Sequence, residues 1–312
     1  VMLPPMAIFF PLFTLLEDLG YLPRMAYNLD HALSRCGGCG KMAMTYCMGL
    51  GCNAAGVVGC RIIDSPRERC IAVLTNSFIP CNGRFGALIL LLTVFLPSTA
   101  GSLWAALGLT GFLVLGVLAA MGVSWILSRT VLRGMPSAFT LELPPFRRPR
   151  VGHVLVRSAL DRTGKVLLRA AVTAAPAGLV LWSLNTVDWH GVRLLDWMAR
   201  GLDSMGRAMG MSGVLLAAFL LGWPANEIVL PVALLAATGA LELDTTAEGL
   251  SALGLQWETA LCTAVFFLFH WPCATTCLTI RRETGSLKWT LLAMALPTIL
   301  GAGMCLLIHA AM

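Results

Sequence analysis

Long apolar runs separated by short polar turns dominate this chain. Leu103–Leu127 and Leu287–Met312 each exceed the ~20 residues a helix needs to cross a bilayer. The runs predict six spans, roughly at 2–19, 71–97, 102–133, 164–187, 259–281 and 286–311. Two further apolar segments, roughly 42–60 and 211–239, are interrupted at mid-length. The first contains Met48-Gly49-Leu50-Gly51-Cys52-Asn53, the second Gly222-Trp223-Pro224-Ala225-Asn226-Glu227. Glycine and proline in those places predict helical hairpins that enter and turn back. The expected fold is an all-α polytopic membrane protein of two inverted repeats, with about six spanning helices and two re-entrant broken hairpins.

Loop charge orients these segments. Residues 129–169 hold nine Lys and Arg against two acids, which predicts a cytoplasmic connection. The turn near Pro97–Ser102 then falls outside, and the 61–70 loop, with Arg61, Arg67 and Arg69, falls inside. Loop 240–258 carries Glu242, Asp244, Glu248 and Glu258 and no Lys or Arg. A re-entrant hairpin at 211–239 places that loop outside and returns the Arg281–Lys288 turn to the cytoplasm. The same treatment of 42–60 leaves Arg24, Arg35 and Lys41 inside. The halves then have opposite orientations, a common plan in secondary transporters. The domain reading is a first repeat at 1–133, a Pro/Arg-rich cytoplasmic connector at 134–163 and a second repeat at 164–312. Residues 189–207 resist the charge rule, because Arg193, Arg200 and Arg207 fall on the outer side. Asp196 and Asp203 precede Arg200 and Arg207 by four residues, so they are expected to pair on a helix along the interface.

Composition agrees with this picture. The chain is 57% hydrophobic and 12% charged, whereas a soluble domain carries roughly a quarter charged residues. The net charge of +6 lies in loops and is no nucleic-acid signal. Eleven cysteines scattered through apolar segments do not form a secreted disulfide framework. Val1 is not a start methionine and begins inside an apolar run, so a fragment lacking its N-terminal part, and an upstream span, are expected.

The chemistry gathers at interrupted helices. SFIPCNGRF places Cys81 after Pro80, and LFHWPCATTC places Cys273 after Pro272. Proline lacks the N–H that would bond the carbonyl four residues back, so in a helix Pro80 frees Asn76, Pro272 frees Leu268 and Pro224 frees Leu220. Free carbonyls beside a soft thiolate make a plausible cation site, here once per half. The bland reading of each Cys is a small buried hydrophobe. Cys52 and Asn53 stand at the first hairpin turn, Asn226 and Glu227 at the second. Carboxylate and amide groups at membrane depth usually mark a pathway, although Asn also caps helices. His270, Cys273 and Cys277 follow at i, i+3 and i+7, the spacing of one helix face. Imidazole and thiolate together suit Fe(II), Zn(II) or Cu(I); the alternative for His270 is a place at a kink. Cys36-Gly-Gly-Cys39 lacks a second CxxC and does not support a closed zinc site. Glu17 and Asp18 either line the path or mark the interface. No phosphate loop or catalytic triad emerges.

Several of these motifs together resemble the membrane part of the bacterial ferrous iron transporter family, FeoB. They are LLEDLGYLPRMAYNLD, GLGCNAAGVVGCRIIDSPRER, NSFIPCNGRFG, ELPPFRRPR, LGWPANEIVLP and HWPCATTCLTIRRETGSLKW, in order from Val1 to about Trp289. The likeness is strongest to the clostridial-type branch, whose second hairpin reads PANE where others read AARE. Asn226 therefore replaces an arginine found in many members, and Asn82-Gly83 stands in a motif often written SAR. The resemblance implies two Gate repeats and an Fe(II) permease in the bacterial inner membrane, with metal-binding Gate cysteines at Cys52, Cys81 and Cys273. It implies a GTP-binding domain outside this chain, where GTP and Mg would act, and a small cytoplasmic partner, FeoA. A homo-oligomer is left open. Other readings are a permease for Mn(II), Zn(II) or Co(II), an organic-solute carrier, or a membrane metalloenzyme using His270 and the cysteines. Thiols argue against manganese, which prefers oxygen ligands.

Overall fold

The computed structural model describes residues 3–95, 101–134, 152, 164–189, 191–238 and 255–312. Most of the connector at 134–163 and most of the acidic loop at 240–258 lie outside the described residues. The described chain is almost entirely helical. Its helices are α1 (Leu3–Asp18), α2 (Tyr21–Arg35), α3 (Lys41–Gly51), α4 (Asn53–Gly59), α5 (Pro66–Thr75), α6 (Asn82–Phe95) and α7 (Gly101–Arg129). They continue as α8 (Gly164–Thr186), α9 (Leu194–Ala208), α10 (Gly213–Leu221), α11 (Val229–Thr238), α12 (Trp257–Phe269), α13 (Ala274–Thr284) and α14 (Leu287–Ala311). One antiparallel strand pair, Asp188–Trp189 with Val192–Arg193, leads into α9.

Three helical stretches among the described residues are long and apolar enough to cross a membrane: Leu103–Arg129, Trp257–Thr284 taken through its break, and Leu287–Ala311. A fourth arises if α9 and α10, bent by 111° to one another, count as one span. Six were expected. α1 has only 16 residues, about 24 Å of helix, and α5 opens with Arg67, Glu68 and Arg69.

The chain divides into two compact units. The first comprises residues 1–82, 114–169 and 276–293. Its core holds Met42, Ile71, Leu74, Phe78 and Ile79, all essentially inaccessible. α2 is amphipathic, burying Leu22, Ala26 and Leu33 on one face. α5 starts on a capping box: Ser65 Oγ accepts from the Glu68 N–H, with Pro66 at the first helical position. Tyr46 donates its hydroxyl to Thr75 Oγ1 at 2.8 Å, joining α3 to α5. Arg61 donates two bonds of 2.7 Å to the Glu283 carboxylate. Cys36 and Cys39 lie in the turn between α2 and α3, where Cys39 is buried. Burial, followed by the neighbouring Glu68 carboxylate, pushes the Cys39 thiol up to about 12.

The second unit comprises residues 83–113, 170–275 and 294–312. Phe219, Phe266, Phe267 and Phe269 form its centre, with Phe219 and Phe266 edge to face at 4.8 Å. Cys305 on α14 donates its thiol to the Cys262 carbonyl at 3.2 Å. At the α9–α10 corner Gly210 adopts φ +69°, a conformation glycine takes without strain. Of the two expected i, i+4 pairs on α9, Asp203 with Arg207 forms. Asp196 instead accepts both bonds from Arg193, at 2.9 and 3.0 Å. Arg193 precedes the helix, so its side chain folds back over the first turn and reaches Asp196.

Candidate metal pathway at the helix breaks

The first hairpin breaks at a single residue. Cys52 is extended, with φ −157° and ψ 121°, between α3 and α4. Its N–H still closes α3 on the Met48 carbonyl, and its own carbonyl opens α4 by accepting from Gly56 N–H, each at 3.0 Å. Cys52 is half-buried and Asn53 fully buried. The Asn53 amide, oriented so that its nitrogen faces acceptors, donates to the carbonyls of Gly49 and Ile79 at 3.1 Å. Ile79 lies in the Ile79-Pro80-Cys81 link between α5 and α6, so this one side chain spans two interruptions.

A second asparagine, unforeseen as a side chain in the sequence, answers it. Asn76 is fully buried and donates Nδ2 to the Asn53 carbonyl at 2.9 Å. Its Oδ1 has no hydrogen-bond partner among the described residues. A Cβ at Gly49 or at Gly56 would come within 2.6 Å of that oxygen, so glycine there lets the hairpin backbone reach the wedge. The expectation that Pro80 frees the Asn76 backbone carbonyl needs correction. The helix ends at Thr75, a 3₁₀ turn covers Asn76–Phe78, and the carbonyl accepts from Ile79 N–H at 3.2 Å. Cys81 is buried at the end of this link.

The second unit also carries two helix interruptions, built from different groups. α10 ends at Leu221, and Gly222–Ala225 leads into a 3₁₀ turn at Asn226–Ile228. Pro224 does not leave the Leu220 carbonyl bare, because Trp223 N–H approaches it at 3.4 Å. Asn226 is buried and Glu227 half-buried. The α12–α13 break covers His270–Cys273, so His270, Cys273 and Cys277 do not share one continuous helix face. Proline at 272 ends α12 early. His270 and Cys273 sit in the break, while Cys277 is buried on α13. Ala274 N–H donates to the Trp223 carbonyl at 2.9 Å, tying the two interruptions.

His270 is buried among Phe219, Phe267 and Trp271. Its Nδ1 lies 2.8 Å from the Phe267 carbonyl and its Nε2 3.2 Å from Oδ1 of Asn226. A neutral ring carries one N–H, which the Phe267 carbonyl takes. Nε2 is then an acceptor, which requires the Asn226 amide to present its nitrogen.

Pro272 does release the Leu268 carbonyl, and a buried cation takes it. Arg84, fully buried, donates Nη1 to Leu268 O at 2.6 Å and Nη2 to His270 O at 3.0 Å and Trp271 O at 3.4 Å. A lone Arg in an apolar run was the available signal for this residue, but its acceptors lie 184 to 187 positions away. Among the described residues no three His, Cys, Asp or Glu side chains gather closely enough to hold a metal ion.

The comparisons with known proteins bear on these elements. Residues 1–95, which include the first hairpin and Cys81, match the Gate family model, described as nucleoside recognition. Residues 109–160 match the model for the ferrous iron transport protein B C terminus. The chain resembles the membrane part of FeoB. The Fe(2+) transporter FeoB of Staphylococcus aureus (strain COL) is 27% identical over 311 residues, covering 96% of this chain and 45% of that FeoB. The FeoB of Legionella pneumophila (strain Lens) is 31% identical over 189 residues, 61% of this chain and 24% of that protein. The chain thus spans less than half the length of the FeoB relatives it matches. No solved structure matches it.

Proposed function

We propose that this chain is the Fe(II)-permeating core of a multi-pass transporter in the bacterial inner membrane. What carries the reading is a pair of Pro-Cys helix breaks in a chain that aligns over 96% of its length with a protein named Fe(2+) transporter. Cys81, Cys273 and Cys52 take the metal transiently. Asn53, Asn226 and Glu227 add oxygen ligands and charge, and His270 and Cys277 are further candidate ligands. Binding stays weak, because a closed, tight site would not release its ion. The chain is itself no enzyme. GTP hydrolysis belongs to a domain outside it, and a FeoA-like protein is the cytoplasmic partner. Residues 1–133 and 164–312 are inverted Gate repeats, joined by a cytoplasmic connector at 134–163. The repeats contain six spans and two re-entrant hairpins.

The test is metal uptake into proteoliposomes under anaerobic, reducing conditions, compared across Fe(II), Mn(II), Zn(II) and Co(II). Fe(II) is expected to enter fastest. Preferential entry of Mn(II), or chemical turnover without net transport, would overturn the reading. The inverted topology is tested by impermeant labelling of single cysteines placed in residues 134–151 and 242–256. These segments are expected to react from opposite sides.

A further inference from the structure

The function of Arg84 is not explained by packing alone. A guanidinium is always charged, and one with no solvent access is costly unless its donors are well satisfied. Here Nη1 meets one backbone carbonyl, at 2.6 Å, and Nη2 two, at 3.0 and 3.4 Å, all from one helix break. Carbonyls that converge on one small group form the kind of oxygen cage that hard cations occupy, since Ca(II), Mg(II) and Mn(II) prefer carbonyl, carboxylate and water oxygen. The break therefore presents two ligand types. Leu268, His270 and Trp271 offer hard oxygens, and Cys273, one residue past Pro272, offers a soft sulfur. Arg84 holds the first set.

We infer that Arg84 is a specificity-determining residue: its guanidinium fills the carbonyl cage of the α12–α13 break and so denies that cage to hard divalent cations. The inference rests on the reading of this chain as a metal permease, and it adds what selects against calcium and manganese. Arg84 touches no metal in this scheme. It acts by keeping competing ligands occupied, and its removal creates a site rather than destroying one.

The direct test is binding of a hard ion to the full chain in detergent. Tb(III) luminescence excited through tryptophan reports an ion close to Trp271. The wild type is expected to give no Trp271-dependent signal. Arg84→Gln removes the charge while its amide can still satisfy one carbonyl, and should gain a signal that Trp271→Phe abolishes in the double variant. Ca(II) should displace it. In proteoliposomes, excess Ca(II) should barely slow Fe(II) uptake by the wild type, and should slow that of Arg84→Gln about tenfold. Arg84→Lys replaces the fork by a point donor, should show a smaller gain, and decides the matter where the Gln variant does not insert. A Trp271-dependent signal already present in the wild type, or none in either variant, would overturn the inference. Failure of the wild type to transport Fe(II) would instead count against the permease reading, since the luminescence does not depend on transport.

Discussion

The side chain of Asn76 donates to the backbone carbonyl of Asn53 over 2.9 Å, and the side chain of Asn53 reaches the carbonyl of Ile79. Two asparagines thus lock the first hairpin to the Pro80-Cys81 link, each using the other's segment. A wedge of this kind needs space. Gly49→Ala would bring a Cβ to 2.6 Å from Asn76 Oδ1, and its three nearest contacts are all Asn76 atoms. We expect it to destabilise the protein by about 1–3 kcal/mol, as overpacking usually does. Asn76→Ala removes the obstacle, so the double variant should be less destabilised than the sum of the two. Thermal unfolding in detergent measures all three. Strict additivity would mean that the wedge does not couple to the hairpin.

The Pro-Cys thiols are expected to be functional and Cys305 structural. Cys81→Ser and Cys273→Ser keep size but lose the soft ligand, and should each lower Fe(II) uptake about tenfold or more. Cys305→Ser keeps a donor for the Cys262 carbonyl and should leave uptake near wild type. Initial rates normalised to inserted protein provide the comparison. Equal rates in all three would reduce the Pro-Cys sites to packing.

Glu227 is half-buried in the second hairpin, next to the buried Asn226. Glu227→Gln preserves shape and one oxygen but removes charge, and the amide is cheaper to bury. Uptake should fall several-fold with little loss of folded protein, and Glu227→Asp should retain part of it. Wild-type uptake by the Gln variant across the active pH range would exclude a role for the charge.

Cys39 supplies a pH test outside the spans. Its thiol is raised to about 12 by burial and by Glu68, above the ordinary value of 9.0. The unfolded chain loses this proton first as pH rises, so the contribution of Cys39 to stability is complete below about 9 and drains away between there and 12. At pH 8 the native thiol should resist iodoacetamide while the unfolded one reacts, since thiolate is the nucleophile. Cys39→Ala should flatten the alkaline slope of stability. An unchanged slope would place the titration elsewhere.

The sequence was informative where a residue acts on its own backbone. Gly and Pro at mid-segment located the interruptions near Cys52, at Gly222–Ala225 and after Phe269, and Pro272 correctly implied a released Leu268 carbonyl. It was uninformative where the answer came from another segment. Nothing near Arg84 indicates that its acceptors lie at Leu268, His270 and Trp271. Asn76 stood out only as a carbonyl upstream of Pro80, whereas its side chain does the holding. The helix-face spacing of His270, Cys273 and Cys277 failed for a local reason, because a proline inside the spacing ends the helix that the spacing assumes.

The early end of α12 also has a polarity. A helix gathers about half a negative charge at its C-terminal end, and at a surface water screens that pole. α12 ends at Phe269, which is fully buried, so its pole faces protein. Arg84 sets its guanidinium on the carbonyls of Leu268 and His270, so that buried pole is met by a fixed positive group instead of water. An interior helix terminus open to any small cation is, in this chain, already capped by one of the protein's own.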